Sequence, residues 1–75
     1  MGQMNILSTK GDSKQIWDPS KAAEVDVAEG VFNKLVNKKN YKAYHVGARG
    51  KKSNVMKKFD PDAEKMILVP PIIGG

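Results

Sequence analysis

The sequence predicts an α+β fold: one helix packed on a mixed four- to five-stranded sheet, in the element order β-β-α-β-β-β. Three observations predict it. A single stretch repeats its apolar residues at the helical period, and short apolar or alternating runs stand on both sides of it. The whole chain is 75 residues, 40% hydrophobic and 28% charged. A chain of this size buries only about 60% of its unfolded surface, so there is room for one domain and one core. A lone helix buries its apolar stripe best against a sheet, which gives a two-layer arrangement.

Residues 4–7 are short and apolar and read as the first strand. Met1, Gly2 and Gln3 precede a second methionine and read as an extension or an alternative start. Residues 8–12 contain a Gly-Asp turn signal, and residues 13–17 form the second strand, which makes an N-terminal hairpin. The helix is expected over residues 21–38. Val25, Ala28, Phe32, Leu35 and Val36 fall on one face of it, and Lys21, Glu24, Glu29, Asn33 and Lys34 populate the rest. Asp18 or Ser20 is expected to cap the start, with Pro19 in the first turn. Early Glu24 and Asp26 and late Lys34, Lys38 and Lys39 suit the helix dipole. Gly30 interrupts the helix at a cost of about 1 kcal/mol relative to alanine, and is expected to mark a close approach of a strand backbone. Asn40 is the expected left-handed stop.

After the helix, residues 41–46 are aromatic and β-branched and read as a strand, with Tyr44 and Val46 on one face and Tyr41, Ala43 and His45 on the other. Residues 47–54 read as a loop, 55–59 as an alternating strand, 60–62 as a turn and 65–69 as a final apolar strand. A sheet under one helix requires the first and last strands to pair. A helix of about 17 residues spans roughly 25 Å, enough to cross four or five strands.

Composition removes several function classes. The absence of cysteine excludes disulfides, thiolate nucleophiles and Cys-type zinc sites. No run approaches the ~20 apolar residues of a membrane span. The N-terminus has neither the basic nor the apolar part of a secretion signal, and Gly2 lacks the Ser or Thr spacing of a myristoylation site. The expectation is a soluble, cytoplasmic protein. His45 has no second ligand type near it in sequence, Asp60 and Asp62 flank Pro61 as turn residues, and Ser8, Ser13 and Ser53 have no His–Asp setting. No catalytic set, metal site or cofactor site assembles, so the chain reads as a non-enzyme.

Charge is unevenly spread. The net charge is +5, and the stretch 30–59 holds nine basic residues and no acid, while all eight acids lie outside it. Lys38, Lys39, Lys42, Arg49, Lys51, Lys52, Lys57 and Lys58 are the candidate basic patch, with Lys34 beside them. Such a patch attracts phosphates or an acidic protein surface in a salt-dependent way. Tyr41, Tyr44 and Trp17 are candidates to stack on bases, although Trp17 reads equally well as a core anchor under the helix start. A plain solvated lysine face explains the same residues. The loop around Gly47, Arg49 and Gly50 lacks Walker spacing and does not lead into a helix.

The C-terminus is the most informative segment. An apolar strand runs into Pro70, Pro71, Ile72, Ile73, Gly74 and Gly75. This ending, with the strand and helix order and the length, resembles the ubiquitin-like β-grasp family, and most closely its prokaryotic modifiers and sulfur carriers. The resemblance implies a β-grasp domain over residues 1–69 and an extended tail over 70–75. It implies that an adenylating enzyme activates the Gly75 carboxylate with ATP, for sulfur transfer or for protein conjugation. Further implied partners are a conjugating enzyme, an isopeptidase or a sulfur-acceptor protein. Glycine without a Cβ lets Gly74 and Gly75 thread a narrow channel. Pro70 and Pro71 fix φ and stop the ladder, and Ile72 and Ile73 suit a partner's groove. With 7 glycines in 75 residues, a chance terminal Gly-Gly arises in about one such sequence in a hundred. The alternative is a small basic module that binds nucleic acid or protein without conjugation.

Overall fold

The computed structural model describes residues 1–46 and 52–71, and the side chains of all of these except 52–54. The elements are β1 (Gly2–Ile6), β2 (Ser13–Trp17), α1 (Ala22–Asn33), a π-helical turn (Lys34–Lys38), β3 (Lys42–Val46), β4 (Lys52–Met56) and β5 (Lys65–Val69). The strands form one five-stranded sheet in the order β2-β1-β5-β3-β4. β1 and β5 run parallel, and the other neighbouring pairs are antiparallel. The chain is therefore α+β, one helix on a mixed sheet, and its first and last strands pair as the topology requires.

β1 begins earlier than its apolar run. Gly2 faces Trp17 and Gln3 faces Ile16 across the hairpin, so the residues before Met4 belong to the strand. Trp17 packs over Gly2 so closely that a Cβ there would collide with its indole ring. At the hairpin turn the Gly11 N–H donates to the Ser8 carbonyl at 3.3 Å, and Gly11 sits at φ 125°, a conformation that glycine adopts without a Cβ clash.

The helix starts one residue after its expected first position and without the expected cap. Lys21 is the N-cap and has no side-chain cap bond. Asp18 instead organises the entry. Its carboxylate accepts the Ser20 N–H at 2.9 Å and the Ser20 hydroxyl at 2.7 Å, and its carbonyl accepts the Lys21 N–H at 2.9 Å. Glu24 reaches back to accept the Asp18 N–H at 3.0 Å. Pro19 therefore lies in this turn, before the helix. The Ser20 N–H, the Ser20 hydroxyl and then the Lys21 charge hold the Asp18 carboxyl below its ordinary value.

Ala28 and Phe32 of α1 are fully buried, with Val25, Val31, Leu35 and Val36 packed beside them. The predicted stripe is thus the observed one. Gly30 corrects an expectation: it is exposed and a Cβ there would meet nothing within 4 Å, so no strand backbone approaches it. Past Asn33 the last turn widens. The Lys39 N–H is shared between the Lys34 and Leu35 carbonyls, and the Tyr41 N–H reaches the Leu35 carbonyl at 2.9 Å. Asn40 closes the turn at φ 59°, the left-handed stop its residue type suggests.

The fourth strand also differs from expectation. The alternation placed it at 55–59, but the ladder uses Lys52–Met56, with Ala43 facing Met56 and Tyr44 facing Val55. A register shift then brings Val46 opposite Lys52, one residue beyond strict antiparallel pairing, as a bulge does. Phe59 leaves the sheet to fill the core. Its ring lies 4.9 Å from that of Trp17, tilted against it, and 5.8 Å from that of Phe32, edge to face. The Trp17 indole N–H donates to the Pro61 carbonyl at 3.0 Å. Met4, Met66, Leu68 and Ala43 complete the helix side of the sheet, all at 0% exposure. Among the described residues no polar or charged side chain is buried.

Candidate functional site

β5 is the middle strand, hydrogen-bonded to β1 on one side and β3 on the other. Met66 and Leu68 fix it from the helix side, both fully buried. Lys65, Ile67 and Val69 consequently point to the open face. The chain leaves the sheet from its most anchored strand, through half-buried Pro70 to exposed Pro71. Proline donates no N–H, so the ladder ends where the sequence reading placed its end.

The register decides what surrounds this exit. Lys42 faces Val69 and Tyr44 faces Ile67. The left-handed Asn40 turns the chain from the helix directly into β3. Asn40, Lys42, Tyr44, Val69, Pro70 and Pro71 thereby line a groove of about 400 Å³ beside the exit. Lys38 and Lys39 precede Asn40, and both are exposed. Lys57 and Lys58, also exposed, directly follow Met56, which pairs with Ala43 next to Lys42. Lys38, Lys39 and Lys42 therefore lie by the end of the sheet from which the tail leaves, and Lys57 follows the β4 ladder there, whereas Lys58 precedes Phe59, whose ring packs on Trp17 at the other end.

The remaining three patch candidates are Arg49, Lys51 and Lys52. Arg49 and Lys51 lie outside the described residues, and Lys52 is described only in its backbone, as the residue of β4 opposite Val46. Val46 and Lys52 stand at the other end of the β3–β4 hairpin. Of the proposed tail residues, Pro70 and Pro71 line the groove, while Ile72, Ile73, Gly74 and Gly75 lie outside the described residues.

The stacking candidates separate as well. Trp17 is at 0% exposure and cannot offer a face to a base. It is the core anchor instead. Tyr44 takes part in the groove, and Tyr41 packs against the core as a half-buried residue.

The acids are spread over the helix and the turns. Asp60 forms a turn in which its carboxylate accepts the Asp62 N–H at 2.9 Å and its carbonyl the Ala63 N–H at 3.1 Å. That turn sits against Trp17 at the helix start, near Asp18. Glu64 lies beside the start of β1, where its carbonyl accepts the Gln3 N–H at 3.0 Å. Asp12 is at the tail end but next to β2, three strand spacings or roughly 14 Å across the sheet from β3. Among the described residues no group of three or more histidines or carboxylates could hold a metal ion. No described helix is long and apolar enough to cross a membrane.

Sequence reasoning missed Asn40, Tyr44 and Val69 as groove residues. Each had a signal, but a local one: Asn40 as a helix stop, Tyr44 and Val69 as strand residues. Their meeting depends on the β3–β5 register, which no local pattern carries. No protein-family model matches the chain, and neither a curated protein nor a solved structure matches it.

Proposed function

We propose that this chain is a ubiquitin-like β-grasp protein, a small modifier or sulfur carrier whose terminal Gly75 carboxylate is activated by an ATP-dependent adenylating enzyme. One observation carries the reading most. The order β2-β1-β5-β3-β4 makes the last strand the central one, and it ends in Pro70 and Pro71 ahead of a terminal Gly-Gly. A sheet so arranged can hand its C-terminus to another protein without disturbing its own core, because Met66 and Leu68 are locked behind the exit.

The chemistry belongs to the partner. The Gly75 carboxylate attacks the α-phosphate of ATP, pyrophosphate leaves, and an acyl adenylate forms. A thiol, sulfide or lysine amine then attacks the acyl carbon and AMP leaves, giving a thioester, a thiocarboxylate or an isopeptide. In this reading the chain is a cytoplasmic substrate and not an enzyme, and it needs no cofactor of its own. Its later partners are a conjugating enzyme and isopeptidase, or a sulfur acceptor.

The test is intact-mass spectrometry after incubation with ATP, Mg²⁺ and the adenylating enzyme from the source cells. An adenylate, thioester or thiocarboxylate on the full chain is the expected product. Removing Gly74 and Gly75 should abolish it and leave the unfolding midpoint unchanged. Unmodified protein under conditions where the enzyme charges another substrate defeats the reading. The alternative, a small basic nucleic-acid or protein-binding module without conjugation, draws support from the lysine cluster. It requires binding that persists after removal of the two glycines.

A further inference from the structure

We infer that the outer face of α1 is a docking surface for a second copy of this chain, the two helices crossing antiparallel at Gly30 with Asp26 of each copy level with Lys34 of the other. An exposed apolar groove, an open stretch of helix and a matched pair of charges meet on that face.

The helix buries Ala28 and Phe32 and leaves Ala23, Asp26, Val27, Gly30 and Lys34 exposed. The solvent face of a surface helix is ordinarily charged or polar. This one carries Val27 at 58% exposure, and Ile16 of β2 stands near it at 50%. Ile16, Ala23 and Val27 line one groove of about 310 Å³ with Gln15 and Glu24. Gly30 continues the face, three residues beyond Val27 and seven beyond Ala23. A glycine in mid-helix weakens the helix relative to alanine. Its own chain gives no reason for it, since a Cβ there would meet nothing within 4 Å. A stretch of helix without a side chain lets a backbone from outside come close.

Charge names the occupant. Asp26 and Lys34 are both exposed, and the one ion pair among the described residues is a different one, Lys21 with Glu24 at 3.8 Å. Asp26 lies four residues before Gly30 and Lys34 four residues after it, about 6 Å each way along the axis. Turning a copy about a two-fold axis through Gly30 sets each Asp26 level with the other copy's Lys34, so the same ion pair forms twice. That self-complementarity is the requirement of an isologous interface. A foreign strand adding along the β2 edge would meet exposed Lys14, a charge that discourages such pairing. Nucleic acid would meet Glu24, Asp26 and Glu29. The 12 residues of α1 span about 18 Å, so the contact is small and the dimer weak and transient. The inference does not rest on activation of Gly75, and its test contains neither ATP nor an activating enzyme.

The experiment is sedimentation equilibrium of the full chain from roughly 10 μM to 1 mM, the range suited to a small interface, with circular dichroism of every variant. The parent should fit a monomer–dimer equilibrium. Asp26→Lys and Lys34→Asp should each weaken the dimer by about tenfold. The double variant Asp26→Lys/Lys34→Asp should return to within about threefold of the parent, because the pair is restored with its signs exchanged. Gly30→Gln should weaken the dimer by about tenfold while raising the thermal midpoint, since glutamine is the better helix former. Should a charge variant fail to fold, Val27→Lys carries the same expected loss of association. A chain that stays monomeric throughout, assembly beyond the dimer, association unmoved by charge reversal, a double variant that stays as weak as the single ones, or a Gly30→Gln dimer as tight as the parent each overturns the inference.

Discussion

The two ends of the sheet are built on opposite terms. At the end where β1 and β5 begin, Trp17 and Phe59 close the core, and the Pro61 carbonyl accepts a hydrogen bond from the indole N–H. The turn acids there are occupied with backbone N–H groups. At the end where β5 leaves, prolines and a left-handed asparagine frame an open groove, and the lysines around it face solvent. The contrast shows how a very small domain divides its labour. Stability is concentrated where aromatic area is buried, which releases the other end to hold exposed lysines beside the Pro70–Pro71 exit.

Breaking the closed end should have the largest effect. Trp17→Ala removes the biggest buried side chain and orphans the Pro61 carbonyl, an expected loss of about 3–5 kcal/mol. For a domain with marginal stability, typically ~5 kcal/mol at this size, that leaves about 0–2 kcal/mol, so the unfolding midpoint by circular dichroism should fall far towards room temperature. Retention of a cooperative transition near the original midpoint would show that the aromatic cluster is not the keystone.

Gly2→Val probes the same end from the opposite side. The new Cβ has no space beside the indole, and overpacking of this kind destabilises by about 1–3 kcal/mol. The loss should appear in urea unfolding, and in a double variant with Trp17→Leu it should shrink, because the clash partner is gone.

At the open end the expected effects on stability are smaller. Asn40→Ala forces a Cβ-bearing residue without a local hydrogen-bonding side chain into φ 59°, at about 1–2 kcal/mol. Asn40→Gly should be tolerated without loss. A similar cost for both would place the asparagine side chain, and not its backbone conformation, in the supporting role.

The smallest expected effect is a pH dependence from Asp18. Its carboxyl is held below the ordinary value of 3.8, first by the Ser20 N–H and then by the Ser20 hydroxyl. A folded-state value lower than the unfolded one means that the stabilisation is complete above the ordinary value and is lost as pH falls through the folded one. Acid titration of the unfolding midpoint should therefore be shallower in Asp18→Asn than in the parent below the ordinary carboxylate value. Equal slopes would remove Asp18 as a contributor.

Much of the fold was legible in the chain. The second and fifth strands matched their expected bounds of 13–17 and 65–69, since each is a short run closed by turn residues. The helix stripe through Ala28 and Phe32 was legible because a period of 3.6 is a local property. The fourth strand was misplaced because its alternation included Phe59, a residue whose partner, Trp17, lies 42 positions earlier by their numbering. Gly30 was misjudged for the same kind of reason: a glycine marks either tolerance or contact, and only the neighbours distinguish them. Here the contact glycine was Gly2.

By itself the sequence determined the element types, the apolar helix face, the left-handed stop at Asn40, the imbalance of charge and the proline-then-glycine ending. All of these follow from interactions among residues a few positions apart, or from composition alone. Only the tertiary structure decided that β5 runs between β1 and β3, that Lys42 stands beside Val69, and that Tyr44, Val69, Pro70 and Pro71 meet in one groove. Those outcomes depend on strand register, and register is a contest among distant pairings settled by which one buries Trp17, Met66 and Leu68 together.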